Sequence, residues 1–128
     1  MCGRIEFILY VSDQVTATDF YSTVLGRRPT LHVPGMTEFD LGGAILGLMP
    51  VAGIKRLLGD ALPDPAAAAG VPRAELYLTL DDPAAFHARA IAAGARELSP
   101  LRPRDWGDEV AYSIDPDGHV LAFARSAR

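Results

Sequence analysis

Glu6 and Glu75, separated by 69 residues (75 − 6), are the residues of this chain best placed by type and spacing to do chemistry. The first stands in Glu6-Phe7-Ile8-Leu9-Tyr10-Val11-Ser12-Asp13, the second in Glu75-Leu76-Tyr77-Leu78-Thr79-Leu80-Asp81-Asp82, and Asp13 and Asp82 keep the same separation. Matched carboxylates on matched strands are open to three roles. As hard oxygen ligands they hold a divalent ion such as Mg2+ or Mn2+. As cavity acids they receive a cationic organic ligand, with Ile8, Tyr10, Tyr77 and Met49 lining the site and Trp106 offering a stacking face. As ordinary charges they are neutralised by arginines, for which Arg4, Arg73, Arg102 and Arg104 are candidates.

The remaining reactive residues add little. His119 belongs to the turn Asp115-Pro116-Asp117-Gly118, His32 lies on a strand beside Pro34, and His87 is expected to face solvent from a helix. No spacing suggests a Ser-His-Asp or Cys-His nucleophile, and Cys2, the single cysteine, is too terminal for that role. Gly42-Gly43 makes a turn and opens no helix, so it is no phosphate loop. Trp106 has a second reading as a packing anchor beside the prolines.

These residues are carried by a repeated unit. The first strand, about 4–12, is apolar on both faces and is expected to be covered on both sides. Asp13 suits an N-cap, and Ala17, Phe20, Tyr21, Val24 and Leu25 form one helical stripe closed by Gly26. Strands follow at about 28–33, 37–41 and 44–49, divided by Pro34-Gly35 and Gly42-Gly43. The second unit repeats this order. A strand begins near Arg73, and Asp82 and Pro83 start a helix whose inward stripe is Phe86, Ala90 and Ala93. A strand at 95–99, a proline-rich loop through Pro100 and Pro103, and strands at 109–114 and 119–123 complete it. Residues 1–128 thus read as a single domain: module one about 1–50, a connector about 51–71, and module two about 72–128. Within the connector, Ile54, Leu57, Leu58 and Leu62 suggest a short helix over 54–62 that either packs as a bridge or closes as a lid. The expected fold class is α+β: two tandem βαβββ modules forming a curved mixed sheet around a cavity.

Bulk properties narrow the partners. A net charge of −4 supplies no basic field for nucleic acid. No run approaches the roughly 18 apolar residues of a membrane span. No basic stretch leads into an apolar one near Met1, so the cytoplasm is the expected location.

In this order, Phe20-Tyr21 with Leu25-Gly26, Trp106-Gly107-Asp108 and Asp115-Pro116-Asp117-Gly118-His119 make the chain resemble the vicinal-oxygen-chelate superfamily. That superfamily includes glyoxalase I, extradiol dioxygenases and bleomycin resistance proteins. The resemblance covers nearly the whole chain and implies a metal ligand on the first and last strand of each module. Glu6 and Glu75 take the first-strand positions, whereas Gly47 and Ala122 take the last-strand ones and cannot bind a metal. The chain is closest in pattern to members lacking a complete metal site. The resemblance therefore implies a small-molecule binding protein holding a cationic or aromatic compound in a cavity lined by Glu6, Ile8, Tyr10, Met49, Glu75, Tyr77, Trp106 and Ala122. It also implies a homodimer and no cofactor beyond a weakly bound divalent cation. The alternative is a divergent metal-dependent lyase, isomerase or dioxygenase using Glu6 and Glu75 as metal ligands. A module that binds no small ligand is the third reading.

Overall fold

A computed structural model describes residues 3–126. They form β1 (Glu6–Val11), α1 (Gln14–Leu25), β2 (Leu31–Val33), β3 (Met36–Asp40), β4 (Ile45–Pro50) and α2 (Val51–Leu58). After two short 3-10 turns come β5 (Glu75–Thr79), α3 (Pro83–Ala92), β6 (Arg96–Pro103), β7 (Asp108–Ile114) and β8 (Val120–Ser126). The fold is α+β, with two four-stranded mixed sheets in the orders β1-β4-β3-β2 and β5-β8-β7-β6. The first strand of each module lies parallel to the last, and the other pairings are antiparallel. No helix among the described residues is long and apolar enough to cross a membrane.

The residues divide into two compact units, one reaching to Ala67 and one beginning at Ala68, except that Thr23–Leu25 cluster with the second. The connector is thus split, most of it belonging to the first unit.

In the first unit, strand alternation puts Thr37, Phe39, Leu46 and Leu48 on the face that meets α1. Thr37 is fully buried, and its hydroxyl is the hub of that contact. Gln14 Nε2 donates to it at 3.0 Å, Thr18 Oγ1 lies 2.9 Å away and His32 Nδ1 2.9 Å. A buried polar group that finds partners on a helix and a neighbouring strand fixes their register. Gly26 closes α1 in the left-handed conformation at φ 65°. Asp13 stands at the N-cap, yet its carboxylate accepts from the Thr16 hydroxyl at 2.6 Å and takes no backbone N–H.

In the second unit, Asp82 caps α3 by accepting from Ala85 N at 3.1 Å, with Pro83 in the first turn. The buried residues of α3 are Pro83, His87 and Ala90, a stripe rotated from the expected Phe86, Ala90 and Ala93. His87 is buried and does not face solvent, because Glu97 on β6 meets its Nε2 at 2.8 Å and makes a burial site for the ring beside Phe123.

Two further expectations are corrected. Pro100 and Pro103 lie within β6 and not in a loop. β6 is an edge strand, where prolines are tolerated; Pro100 falls in the stretch between Ser99 and Arg102 where the pairing with β7 shifts register, and Pro103 lies opposite Glu109. β1 is not covered on both sides: it is also a sheet edge, and Phe7 is 67% exposed, Ile5 47% and Ile8 43%.

Candidate functional site

In the first unit, Glu6, Ile8 and Tyr10 share the sheet face turned away from α1 with Gly47, Met49 and Glu38, as the registers of β1, β4 and β3 require. Arg4 Nη2 bridges two of these carboxylates, 3.1 Å from Glu6 Oε1 and 2.7 Å from Glu38 Oε1. The other oxygen of Glu6, Oε2, is buried without a hydrogen-bond partner. It lies over Gly47, where a Cβ would collide with it. Burial and the adjacent Glu38 carboxyl raise the pKa of Glu6 above the ordinary glutamate value, against the opposing pull of Arg4. Of the three roles open to Glu6, the arginine pairing is the one these contacts display.

In the second unit the corresponding face carries Glu75, Tyr77, Val120, Ala122, Val110 and Tyr112. Tyr77 O–H donates to Asp108 Oδ2 at 2.5 Å and accepts from Trp106 Nε1 at 3.0 Å. Trp106 is brought there by the turn joining β6 to β7, which Arg104 N closes on the Asp108 carbonyl at 2.8 Å and in which Gly107 takes φ 102°. The indole is 52% exposed, so Trp106 is no buried packing anchor. Burial, and then the bond to Asp108, raise the Tyr77 pKa; Tyr112 is raised by burial and by the charge of Glu75. Glu75 itself is exposed and forms no arginine pair among the described residues. Arg104 stays within its own strand pair, with Nη2 donating to Ser99 Oγ at 2.8 Å and Val110 O at 2.8 Å, and its guanidinium 5.1 Å from the Tyr112 ring centre.

The pairings place Gly47 and Ala122 in equivalent positions. Gly47 lies across from Ile8, two residues beyond Glu6, and Ala122 across from Tyr77, two residues beyond Glu75. One offers no side chain and the other a fully buried methyl between two tyrosines. Among the described residues, no group of three or more His, Cys, Asp or Glu side chains comes together around an ion position. This donor set does not fit a transition metal, which requires three or more nitrogen, sulfur or oxygen ligands.

The sequence profile of the Glyoxalase/Bleomycin resistance protein/Dioxygenase superfamily matches residues 4–123. The chain belongs to that superfamily. A Mycobacterium bovis protein, the uncharacterised Mb0911c, is 29% identical over 128 aligned residues, covering 94% of this chain and 81% of its own. Among solved structures, a glyoxalase/bleomycin resistance protein/dioxygenase from Nocardioides superposes with a TM-score of 0.77 at 22% identity, over 98% of this chain and 84% of that one. A glyoxalase-related enzyme from Fulvimarina pelagi gives 0.78 at 22% identity, over 98% and 89%. At that identity the likeness speaks for the fold.

Within this superfamily fold, the residues named from sequence fall on one face of each unit: Glu6, Ile8, Tyr10 and Met49 in the first, Glu75, Tyr77 and Ala122 in the second, with Trp106 bonded to Tyr77. Sequence reasoning missed Glu38 and Asp108. Both carried a signal: Glu38 has the strand parity that faces Gly47, and Asp108 ends the Trp106-Gly107-Asp108 motif.

Proposed function

We propose that this chain is a small-molecule binding protein that takes a cationic or aromatic compound without a metal ion, and that it works as a homodimer. The observation that carries the reading is the state of the two last-strand positions. Gly47 leaves its space to the carboxylate of Glu6, which shares Arg4 with Glu38, and Ala122 is a buried methyl. What remains for a ligand is a half-apolar face with aromatic and acidic groups, the usual make-up of an organic-ligand site. Pairing of two copies is supported by the apolar side chains left exposed on the edge strand β1, Phe7 and Ile8, and by Ile5 just before it.

A thermal-shift screen of chelator-treated protein against amine-bearing and aromatic compounds tests the binding reading. At least one compound is expected to raise the melting temperature in the presence of chelator. Stabilisation only by a divalent ion, lost in Glu6→Gln or Glu75→Gln, would replace this reading with a metal-dependent enzyme.

A further inference from the structure

We infer that the sheet face of the second unit takes a zwitterion, with Arg104 receiving its carboxylate and Glu75 its cationic end. The inference rests on the small-molecule reading above and specifies the ligand by adding an anionic group to it.

Arg104 supplies the anchor for the anion. Its Nη2 donates to three neutral acceptors of β6 and β7: Ser99 Oγ at 2.8 Å, Pro100 O at 3.3 Å and Val110 O at 2.8 Å. Those bonds fix the guanidinium 5.1 Å from the Tyr112 ring centre without any ligand. Among the described residues no carboxylate pairs with it, and Nη1 has no partner. Nη1 is not a buried atom either, so its two N–H groups are open to solvent. A guanidinium held in place by neutral oxygens and left without a counter-ion is a preformed seat for a carboxylate.

Glu75 supplies the opposite charge on the same face. It is exposed and unpaired among the described residues, and the Tyr112 hydroxyl likewise has no partner and is not buried. That hydroxyl lies in the field of both charges: burial and Glu75 raise its pKa, and Arg104 opposes them. Glu75 on β5 stands two strand spacings from Tyr112 on β7, about 10 Å between backbones. On β8, the strand between them, Val120 and Ala122 give the face an apolar floor. The two charges are thus too far apart to neutralise each other, and their separation suits a ligand with one ring between its charged groups. A purely cationic compound would meet Arg104 as a like charge, whereas a zwitterion satisfies both ends.

Calorimetry at neutral pH with 4-(aminomethyl)benzoate, benzylamine and benzoate tests the inference. The zwitterion is expected to bind about tenfold or more tighter than either half. Glu75→Gln is expected to reduce its affinity to that of benzoate, and Arg104→Gln to that of benzylamine. Because Arg104 also ties β6 to β7, Arg104→Lys serves as the charge-keeping control and is expected to retain more of the zwitterion's affinity than Arg104→Gln. Should Arg104→Gln fail to fold, the order of the three probes on the parent and on Glu75→Gln decides. Benzylamine binding as tightly as the zwitterion overturns the role of Arg104 and leaves the small-molecule reading standing. Unchanged zwitterion affinity in Glu75→Gln overturns the role of Glu75. No heat from any probe overturns the inference as a whole, while a compound found in the thermal-shift screen would still uphold the broader reading.

Discussion

At Glu6, burial and a neighbouring carboxylate act against a single guanidinium, and the net effect favours the protonated acid. A carboxyl whose folded pKa is raised adds stability below its unfolded value, near 4.5, and loses that contribution as pH rises through the folded value. Ionised Glu6 therefore costs stability at neutral pH. Glu6→Gln is expected to melt at a higher temperature than the parent at pH 7 and to lose that advantage below about pH 4.5, measured by calorimetric melting at a series of pH values. An unchanged or lower melting point at pH 7 would mean that Arg4 governs the site. The shared strand face of Glu6 with Ile8 and Tyr10, and of Glu75 with Tyr77, was readable because the repeat and strand parity mark it. Parity and motif give the face or turn that Glu38 and Asp108 occupy, but their contacts with Arg4 and Tyr77 were not readable, because a contact across strands depends on register.

The turn between β7 and β8 shows how an element holds its neighbours. Asp115 Oδ1 accepts from the backbone N–H of Asp117 at 2.9 Å and of His119 at 2.8 Å, while Oδ2 lies 3.0 Å from His119 Nδ1. Gly118, at φ 98°, lies against Gly70, and a Cβ there would come within 2.7 Å of the Gly70 backbone. Gly118→Ala meets both the backbone strain and the clash, and is expected to cost about 1–3 kcal/mol in denaturant unfolding. A loss under about 0.5 kcal/mol, the scale of an ordinary surface change, would show that the strap over the turn is loose. Burial alone would lower the His119 pKa, but the bond to Asp115 and the charges of Asp115 and Asp117 outweigh it, and the net direction is upward. Its stabilisation is complete below the ordinary histidine value of 6.5 and fades as pH rises through the folded one. The melting-temperature difference between the parent and His119→Asn should therefore shrink with rising pH; a constant difference would reduce His119 to a neutral turn residue. The turn, both long helices and every strand were legible from Gly, Pro and Asp punctuation with apolar periodicity. The extent of β6 was not, because Pro100 and Pro103 read locally as breakers and only an edge position with shifted pairing makes them acceptable. The burial of His87 was likewise decided by a partner on another element, Glu97.

For the whole molecule, the repeat seen in the sequence is an architectural one: β1 and β5 begin at Glu6 and Glu75, and α1 and α3 at Gln14 and Pro83, with the same 69-residue offset. The same periodicity that made the fold legible left the assembly illegible, since an exposed Phe7 and a buried one have the same strand pattern. Light scattering on the eluting protein is expected to give twice the mass of one chain, and Phe7→Lys is expected to shift it toward the monomer. A monomeric parent would contradict the pairing of β1 edges. Above all, this superfamily member is proposed to bind its ligand without a metal. The most direct measurement is a calorimetric titration of Mn2+, Fe2+, Ni2+, Zn2+ and Mg2+ into chelator-treated protein, alongside Glu6→Gln and Glu75→Gln. The prediction is that none of the ions binds at micromolar affinity and that both variants behave as the parent does. Micromolar binding of any ion that either substitution abolishes would contradict it.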